Sequence, residues 1–135
     1  MLWRVGCRGT SALEFALVAP VLALLLFGAY DIANVVQVSI RLERAARAGA
    51  QYAMANPSDM EAVRARVIAA WPELTTADVP LPVLACECAS TEVSCTQTCG
   101  TGLVRTVTVT ASRSLSPLLL KDLVRGQGSA VVRLR

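Results

Sequence analysis

The N-terminal part of the chain carries a single long apolar run. Residues 15–30 read FALVAPVLALLLFGAY and contain no charged side chain. As an α-helix, the stretch from Thr10 to Tyr30 covers about 31 Å at ~1.5 Å per residue, and the hydrocarbon core of a bilayer is about 30 Å thick. The pattern therefore predicts a membrane-spanning helix that ends at Asp31. The alternative is a helix buried in a soluble domain, but the remaining chain is short for enclosing a helix that is apolar on every side.

The helical pattern continues beyond the apolar run. Apolar and small residues recur there at three- and four-residue spacing, the period of an amphipathic helix; they are Ile32, Val35, Val36, Ser39, Leu42, Ala46, Gly49 and Ala53. Ala45, Gly49 and Ala53 also form a row of small residues that allows another helix to approach closely. The row equally suits packing on the chain's own domain, and both alternatives stay open. The helix is predicted to end at Asn56, because a residue before proline is biased away from helical geometry.

A second helix and several strands follow. Ser58 and Glu61 have the spacing of a capping box, which predicts Ser58 as the N-cap, and Pro72 predicts the end of this helix. Residues 81–89, 103–112 and 129–134 are rich in strand-forming residues, and Val107 and Val109 share one side of an alternating pattern. Residues 117–120 predict an apolar loop that packs back on the domain. The prediction is an α+β fold, in which a long N-terminal transmembrane helix extends into a small domain with a second helix and a three- or four-stranded antiparallel sheet.

Composition narrows the class of protein. The 135 residues are 54% hydrophobic and only 17% charged, which excludes a disordered chain. There is no histidine, so triads and metal sites that need one are excluded. The formal charge of +3 is dispersed over the chain, which argues against nucleic acid as a partner. The carboxylates are scattered and no glycine-rich phosphate loop is present, so we expect neither an enzyme, nor a cofactor, nor a small-molecule substrate.

The cysteines indicate the compartment of the C-terminal part. Cys86, Cys88, Cys95 and Cys99 form an even set in a small domain beyond a membrane helix, which predicts two disulfides in an oxidising space. Three pairings are possible, and a hairpin that turns near residues 90–93 favours the nested one, Cys86 with Cys99 and Cys88 with Cys95. A structural zinc site is the rival interpretation, but the spacing lacks paired C-x-x-C knuckles.

A short basic segment precedes the apolar run. Arg4 and Arg8 predict a cytoplasmic N-terminus by the positive-inside rule. A secretory signal peptide is the alternative, and it requires a small-x-small cleavage site after the apolar run. The nearest candidate has Phe27 where a small residue belongs, and Glu14 is unusual inside a signal peptide.

Glu14 is the one acidic residue at the start of the predicted span. A carboxylate in a span costs roughly 2.5–3.5 kcal/mol at the centre of the bilayer and less near its end, so a compensating charge is expected. If the chain were cut after Gly9, Thr10 would carry a new ammonium four residues before Glu14, where helical residues are neighbours. The ammonium of an adjacent copy would serve equally well.

Residues 9–54 resemble a known family. Gly9 is followed by four residues, then by Glu14-Phe15 and an apolar helix. This pattern is similar to the processing motif of type IV prepilins and pseudopilins. With Pro20 inside the helix and the stretch AARAGA at residues 45–50, the chain most closely resembles the TadE-like family of the tight-adherence (Tad) pilus system. The bulky apolar residue that major pilins usually carry after the glycine is replaced here by Thr10.

The resemblance implies a membrane-inserted minor pilin or pseudopilin without enzymatic activity. It implies cleavage between Gly9 and Thr10 by a prepilin peptidase on the cytoplasmic face, and roles in assembly for Glu14, Phe15 and Pro20. Its expected partners are the membrane, that peptidase and other Tad pilus or pseudopilin subunits. We expect a leader at residues 1–9, a transmembrane helix at 10–31, a helix extension at 32–56 and a periplasmic domain at 57–135. The expected location is the bacterial inner membrane, and incorporation in the pilus itself stays open. An uncleaved single-pass envelope protein that acts as a scaffold or binding partner is the alternative function.

Overall fold

The computed structural model of the chain describes residues 10–100, 102–118 and 125–134. Two helices are followed by four strands: α1 (Thr10–Ala55), α2 (Met60–Ala70), β1 (Val83–Cys88), β2 (Thr91–Val93), β3 (Val104–Ser114) and β4 (Arg125–Leu134). The strands form an antiparallel sheet in the order β2-β1-β3-β4. The predicted α+β architecture is confirmed.

The first helix has two parts that differ in their surroundings. It runs without interruption over 46 residues, through Pro20, and it ends where Asn56 donates its N–H to the carbonyl oxygen of Tyr52 at 3.0 Å, directly before Pro57. Residues 11–30 contain no buried residue, whereas the part from Leu42 to Ala53 supplies several core residues. The C-terminal half of α1 therefore belongs to the globular domain, and the N-terminal half extends from it.

The core lies between α1, α2 and one face of the sheet. Alternation along β3 places Val107, Val109 and Ala111 on the inner face, and the sequence predicted that Val107 and Val109 share one side of the strand. Two glycines of β4 lie against α1: Gly128 lies against the main chain of Leu42 and Glu43, and Gly126 lies against the side chains of Val38 and Leu42. The buried core residues are Leu42, Ala45, Ala46, Ala50, Ala53, Val63, Val67, Leu74, Val79, Val107, Val109 and Ala111.

The second helix begins one residue later than predicted. Its N-cap is Asp59, whose carboxylate accepts the N–H of Ala62 at 2.9 Å. The prediction of Ser58 as the cap is therefore wrong. Serine and aspartate are both good N-caps, and the chain enters the helix so that the aspartate side chain meets the free N–H groups. The helix ends at Ala70, before Pro72, as expected.

The ends of β1 and β3 lie within two residues of the sequence prediction, but β2 and β4 differ from it more. A short strand, β2, pairs with the end of β1 and was not predicted separately. The last strand begins at Arg125, four residues before the predicted start at Ser129, because Gly126 and Gly128 continue the ladder opposite Arg113 and Ala111. In the predicted loop at residues 117–120, Pro117 is buried and Leu118 is exposed, while residues 119 and 120 lie outside the described part of the chain.

Candidate functional site

The residues of the processing motif lie at the start of α1. Gly9 lies outside the described residues, and Thr10 is the first residue of the helix. Glu14, Phe15 and Pro20 follow within three turns, and all three are exposed. Glu14 lies four residues, or about one helical turn, after the start of α1. This geometry permits the predicted pairing of its carboxylate with an ammonium at Thr10, which stays a prediction.

An exposed apolar surface surrounds the N-terminal half of α1. The helix from Ser11 to Ala55 is long and apolar enough to cross a membrane by length and composition, and none of its most apolar eighteen-residue window is buried by the rest of the domain. A helix in the core of a soluble domain would be covered, so that alternative disagrees with the structure. The exposed large apolar residues of this part are Leu13, Phe15, Leu17, Val18, Val21, Leu22, Leu24, Leu25, Leu26, Phe27 and Tyr30.

Asp31 follows this surface and is buried, with 2% of its side chain exposed. Its Oδ1 atom accepts the backbone N–H of Leu118, in the connection between β3 and β4, at 3.0 Å. A buried carboxylate is costly unless hydrogen bonds stabilise it. Sequence reasoning used Asp31 only to mark the end of the apolar run, and in the structure it is the first buried residue among those described of α1.

The row of small residues on α1 faces the interior of the same chain. Ala45, Gly49 and Ala53 are all buried, and Gly49 lies against Val67 and the carbonyl oxygen of Val63 on α2. Of the two alternatives that the sequence left open, the structure shows the intrachain one for these three residues. The close approach of two helices that the row allows is therefore the approach of α1 to α2.

The four cysteines form two disulfides, but not the nested pair. Cys86 is joined to Cys95 and Cys88 to Cys99, with Cα–Cα distances of 5.1 and 5.9 Å. The nested pairing is therefore wrong. With all four sulfur atoms in disulfides, this arrangement also leaves no thiolates for the rival zinc site.

Two turns explain the observed pairing. The β1–β2 hairpin turns at Ala89 and Ser90, both with positive φ, which is earlier than residues 90–93. A second turn closes where the N–H of Gln97 donates to the carbonyl oxygen of Ser94 at 3.0 Å. The chain then reverses direction again. Cys95 therefore lies beside Cys86, and Cys99 lies beside Cys88.

The remaining surface carries isolated polar interactions. Asp78 accepts the N–H and the hydroxyl of Thr75 at 2.9 and 2.8 Å, and these hydrogen bonds, with the positive charge of Arg113, hold the pKa of Asp78 below its ordinary value of 3.8 although burial acts in the opposite direction. A cavity of about 330 Å³ lies beside β3 and β4 and is lined by uncharged residues. Within residues 10–100, 102–118 and 125–134, no three histidine, cysteine or acidic residues are grouped so that they could hold a metal ion.

Sequence reasoning missed two contributions to this arrangement. The first is the pair Gly126 and Gly128, and a signal for them existed, since glycines in a strand pattern often mark close approach of another backbone. The second is the burial of Asp31. Its hydrogen-bond partner is 87 residues away in the sequence, and no local pattern indicates such a contact.

A comparison with protein families agrees with the N-terminal motif. The family model described as TadE-like protein matches residues 9–51, from Gly9 through the apolar segment to the small-residue row of α1. The resemblance to the TadE-like family is therefore confirmed over this stretch. No curated protein and no solved structure gives a significant match to the chain.

Proposed function

We propose that this protein is a TadE-like minor pilin or pseudopilin that takes part in assembly of a Tad-type adhesive pilus. In this proposal a prepilin peptidase removes residues 1–9, the apolar half of α1 spans the inner membrane, and the domain lies in the periplasm. The protein acts by binding other pilus or pseudopilin subunits and not as an enzyme.

The observation that carries the proposal is where the TadE-like match lies. It begins at Gly9, the expected cleavage residue, and it contains Glu14, Phe15 and Pro20. The same stretch of α1 carries the exposed apolar surface, which needs a nonaqueous environment because a soluble monomer rarely exposes an apolar patch larger than a few hundred Å². The motif and the exposed surface thus support one membrane-inserted segment.

The two disulfides support the proposed orientation. Disulfides form and persist in oxidising spaces such as the bacterial periplasm, and both lie in the domain that follows α1. Arg4 and Arg8 precede the span and favour a cytoplasmic N-terminus. Gly9 then lies on the cytoplasmic side, where the peptidase of this system acts.

Cleavage changes the electrostatics of the helix start. The new ammonium on Thr10 lies one helical turn from Glu14, so the two charges can neutralise each other within one chain or between neighbouring copies. Neutralisation lowers the cost of holding either charge at the edge of the apolar phase. This gives Glu14 a role in assembly, while Phe15 and Pro20 shape the helix surface that neighbouring subunits meet.

Intact-mass measurement of the membrane-extracted protein tests the proposal. The mature protein is expected to lack residues 1–9, and Gly9→Val is expected to retain them, because a side chain at that position does not fit the peptidase site. An uncut wild-type chain in cells that contain an active prepilin peptidase would instead favour the single-pass scaffold. Loss of pili on deletion, with restoration by the wild type and not by Gly9→Val, separates a pilus role from cleavage alone.

A further inference from the structure

Asp31 lies where the proposed membrane segment meets the domain. It is the first charged residue after Glu14 and lies seventeen positions further along the chain, which corresponds to about 25 Å of helix. With Glu14 near one face of a hydrocarbon core about 30 Å thick, Asp31 lies near the other face. Tyr30, directly before it, is exposed, and tyrosine is enriched at the membrane–water interface.

The protein, and not water, satisfies this carboxylate. Asp31 is only 2% exposed, and the N–H of Leu118 reaches its Oδ1 atom at 3.0 Å. A hydrogen bond of this length fixes the backbone of Leu118 beside Asp31. Leu118 therefore lies at the same depth as the end of the apolar segment.

Leu118 leaves its side chain uncovered at this depth. It is 61% exposed, although Pro117 before it is buried. An exposed leucine alone needs no explanation, but the hydrogen bond to Asp31 holds the backbone of this one beside the residue that follows the exposed Tyr30. Its side chain is therefore an uncovered apolar group close to the point where the proposed span ends.

We propose that Leu118, in the connection between β3 and β4, forms a second contact with the bilayer, so that the domain rests on the lipid surface instead of standing free on α1. This inference rests on the membrane insertion in the proposed function. The occupant is the lipid interface, since Leu118 adjoins the part of α1 that the bilayer covers. Asp31 is the positioning residue, because its hydrogen bond holds Leu118 at the depth of the interface.

Depth-dependent quenching in the full-length protein tests the proposal. A fluorescent noncanonical amino acid is introduced singly in place of Leu118, Leu24 or Val131, which are 61, 59 and 67% exposed and therefore equally accessible in the absence of lipid. Each protein is reconstituted in nanodiscs of phosphatidylcholine and phosphatidylglycerol, with plain acyl chains or with chains brominated near the headgroup or near the terminal methyl. Leu24 reports insertion, and Val131, on the outer face of β4, is the matched control.

The three positions separate this inference from the proposed function. We expect quenching at 118 by bromines near the headgroup, quenching at 24 by the deep bromines, and none at 131. Quenching at 24 without quenching at 118 overturns the second contact and leaves membrane insertion intact. Absence of quenching at both positions overturns insertion and this inference together, and equal quenching at 118 and 131 shows that position 118 has no specific contact.

Variants of Asp31 test its positioning role. Asp31→Asn keeps an oxygen that accepts the N–H of Leu118, so quenching at 118 is expected to persist. Asp31→Ala removes the acceptor, so quenching at 118 is expected to fall while quenching at 24 is unchanged. Unchanged quenching at 118 in a folded Asp31→Ala protein overturns the role of Asp31, and the labels in the wild-type background decide the contact itself even if this variant does not fold.

Discussion

Gly49 on α1 and Val67 on α2 are in such close contact that no side chain fits between them. A Cβ atom at position 49 would overlap Cγ2 of Val67 and would lie 3.3 Å from the carbonyl oxygen of Val63 and 3.4 Å from Cγ1 of Val109. The three valines are fully buried. One glycine is therefore the point at which α1, α2 and β3 meet.

Gly49→Ala is expected to destabilise the domain. Alanine favours a helix interior by roughly 0.8–1.0 kcal/mol over glycine, but overpacking a dense core costs about 1–3 kcal/mol, and the β-branched Val67 cannot turn away freely. We expect the free energy of unfolding to fall by about 1 kcal/mol, which corresponds to a fall of roughly 4–8 °C in Tm. Thermal unfolding in detergent measures it. The double variant Gly49→Ala/Val67→Ala should lose less than the sum of the single variants, and strict additivity would contradict the contact.

The two glycines of β4 should differ in their tolerance of a side chain. A Cβ at position 128 would overlap the main chain of Leu42 and Glu43 on α1, whereas a Cβ at position 126 would lie 3.0 and 3.2 Å from the side-chain ends of Val38 and Leu42. Side chains can adjust and a helix backbone cannot. Gly128→Ala should therefore cost more than Gly126→Ala, at or above the upper end of the ~1–3 kcal/mol range for overpacking. If both variants lose the same free energy of unfolding in denaturant, β4 moves away from the helix as a unit.

Single cysteine variants should free defined thiols. Cys7 lies in the proposed leader, so protein without residues 1–9 is used. There Cys86→Ser is expected to leave Cys95 open to alkylation, and Cys88→Ser is expected to leave Cys99 open, because these are their disulfide partners. Peptide mapping of the alkylated, nonreduced protein identifies the free thiol. Alkylation of Cys99 in the Cys86→Ser variant would instead support nested pairing. Loss of either bridge should also cost about 2–5 kcal/mol of stability.

Asp78 should contribute to the acid stability of the domain. Its pKa is lowered in the folded state from the ordinary value of 3.8, chiefly by the hydrogen bonds from Thr75. A lowered folded-state pKa gives stabilisation that is present above the unfolded pKa and is lost as the pH falls through the folded value. The loss should therefore begin near pH 3.8 and continue below it. Asp78→Asn should flatten this part of a curve of Tm against pH, and an unchanged slope would show that other carboxylates cause it.

Glu14 should be required for assembly but not for insertion, if the proposed function holds. Glu14→Ala removes a charge from the edge of the apolar segment, which favours the bilayer, and the cut after Gly9 lies five residues away. Glu14→Gln keeps the shape and the hydrogen bonding but removes the charge, so it separates charge pairing from packing. We expect both variants to fractionate with membranes and to lose the leader by intact mass, but to support few or no pili by electron microscopy. Normal piliation by both would remove the electrostatic role of Glu14.

The local elements of this fold follow from local sequence. The apolar run is long enough for a membrane helix, and Pro57 and Pro72 end the two helices because proline and the residue before it disfavour continuation of a helix. Alternation along β3 predicts that Val107 and Val109 share one side of the strand, because successive residues of a strand face opposite sides. These features depend on neighbours within a few residues, so the sequence contains them directly.

Other features depend on residues that are distant in sequence, and only the tertiary structure decides them. The pairing of Cys86 with Cys95 depends on two successive turns, and the sequence alone allows three pairings. The N–H of Leu118, which Asp31 accepts, lies 87 residues away, so this hydrogen bond forms only once the connection after β3 has docked on α1. Gly128 can be recognised as indispensable only when the backbone of Leu42 lies against it. In each case the disulfide, hydrogen bond or backbone contact forms between two segments that are distant in sequence. Its energy depends on both segments together, so neither segment alone predicts it.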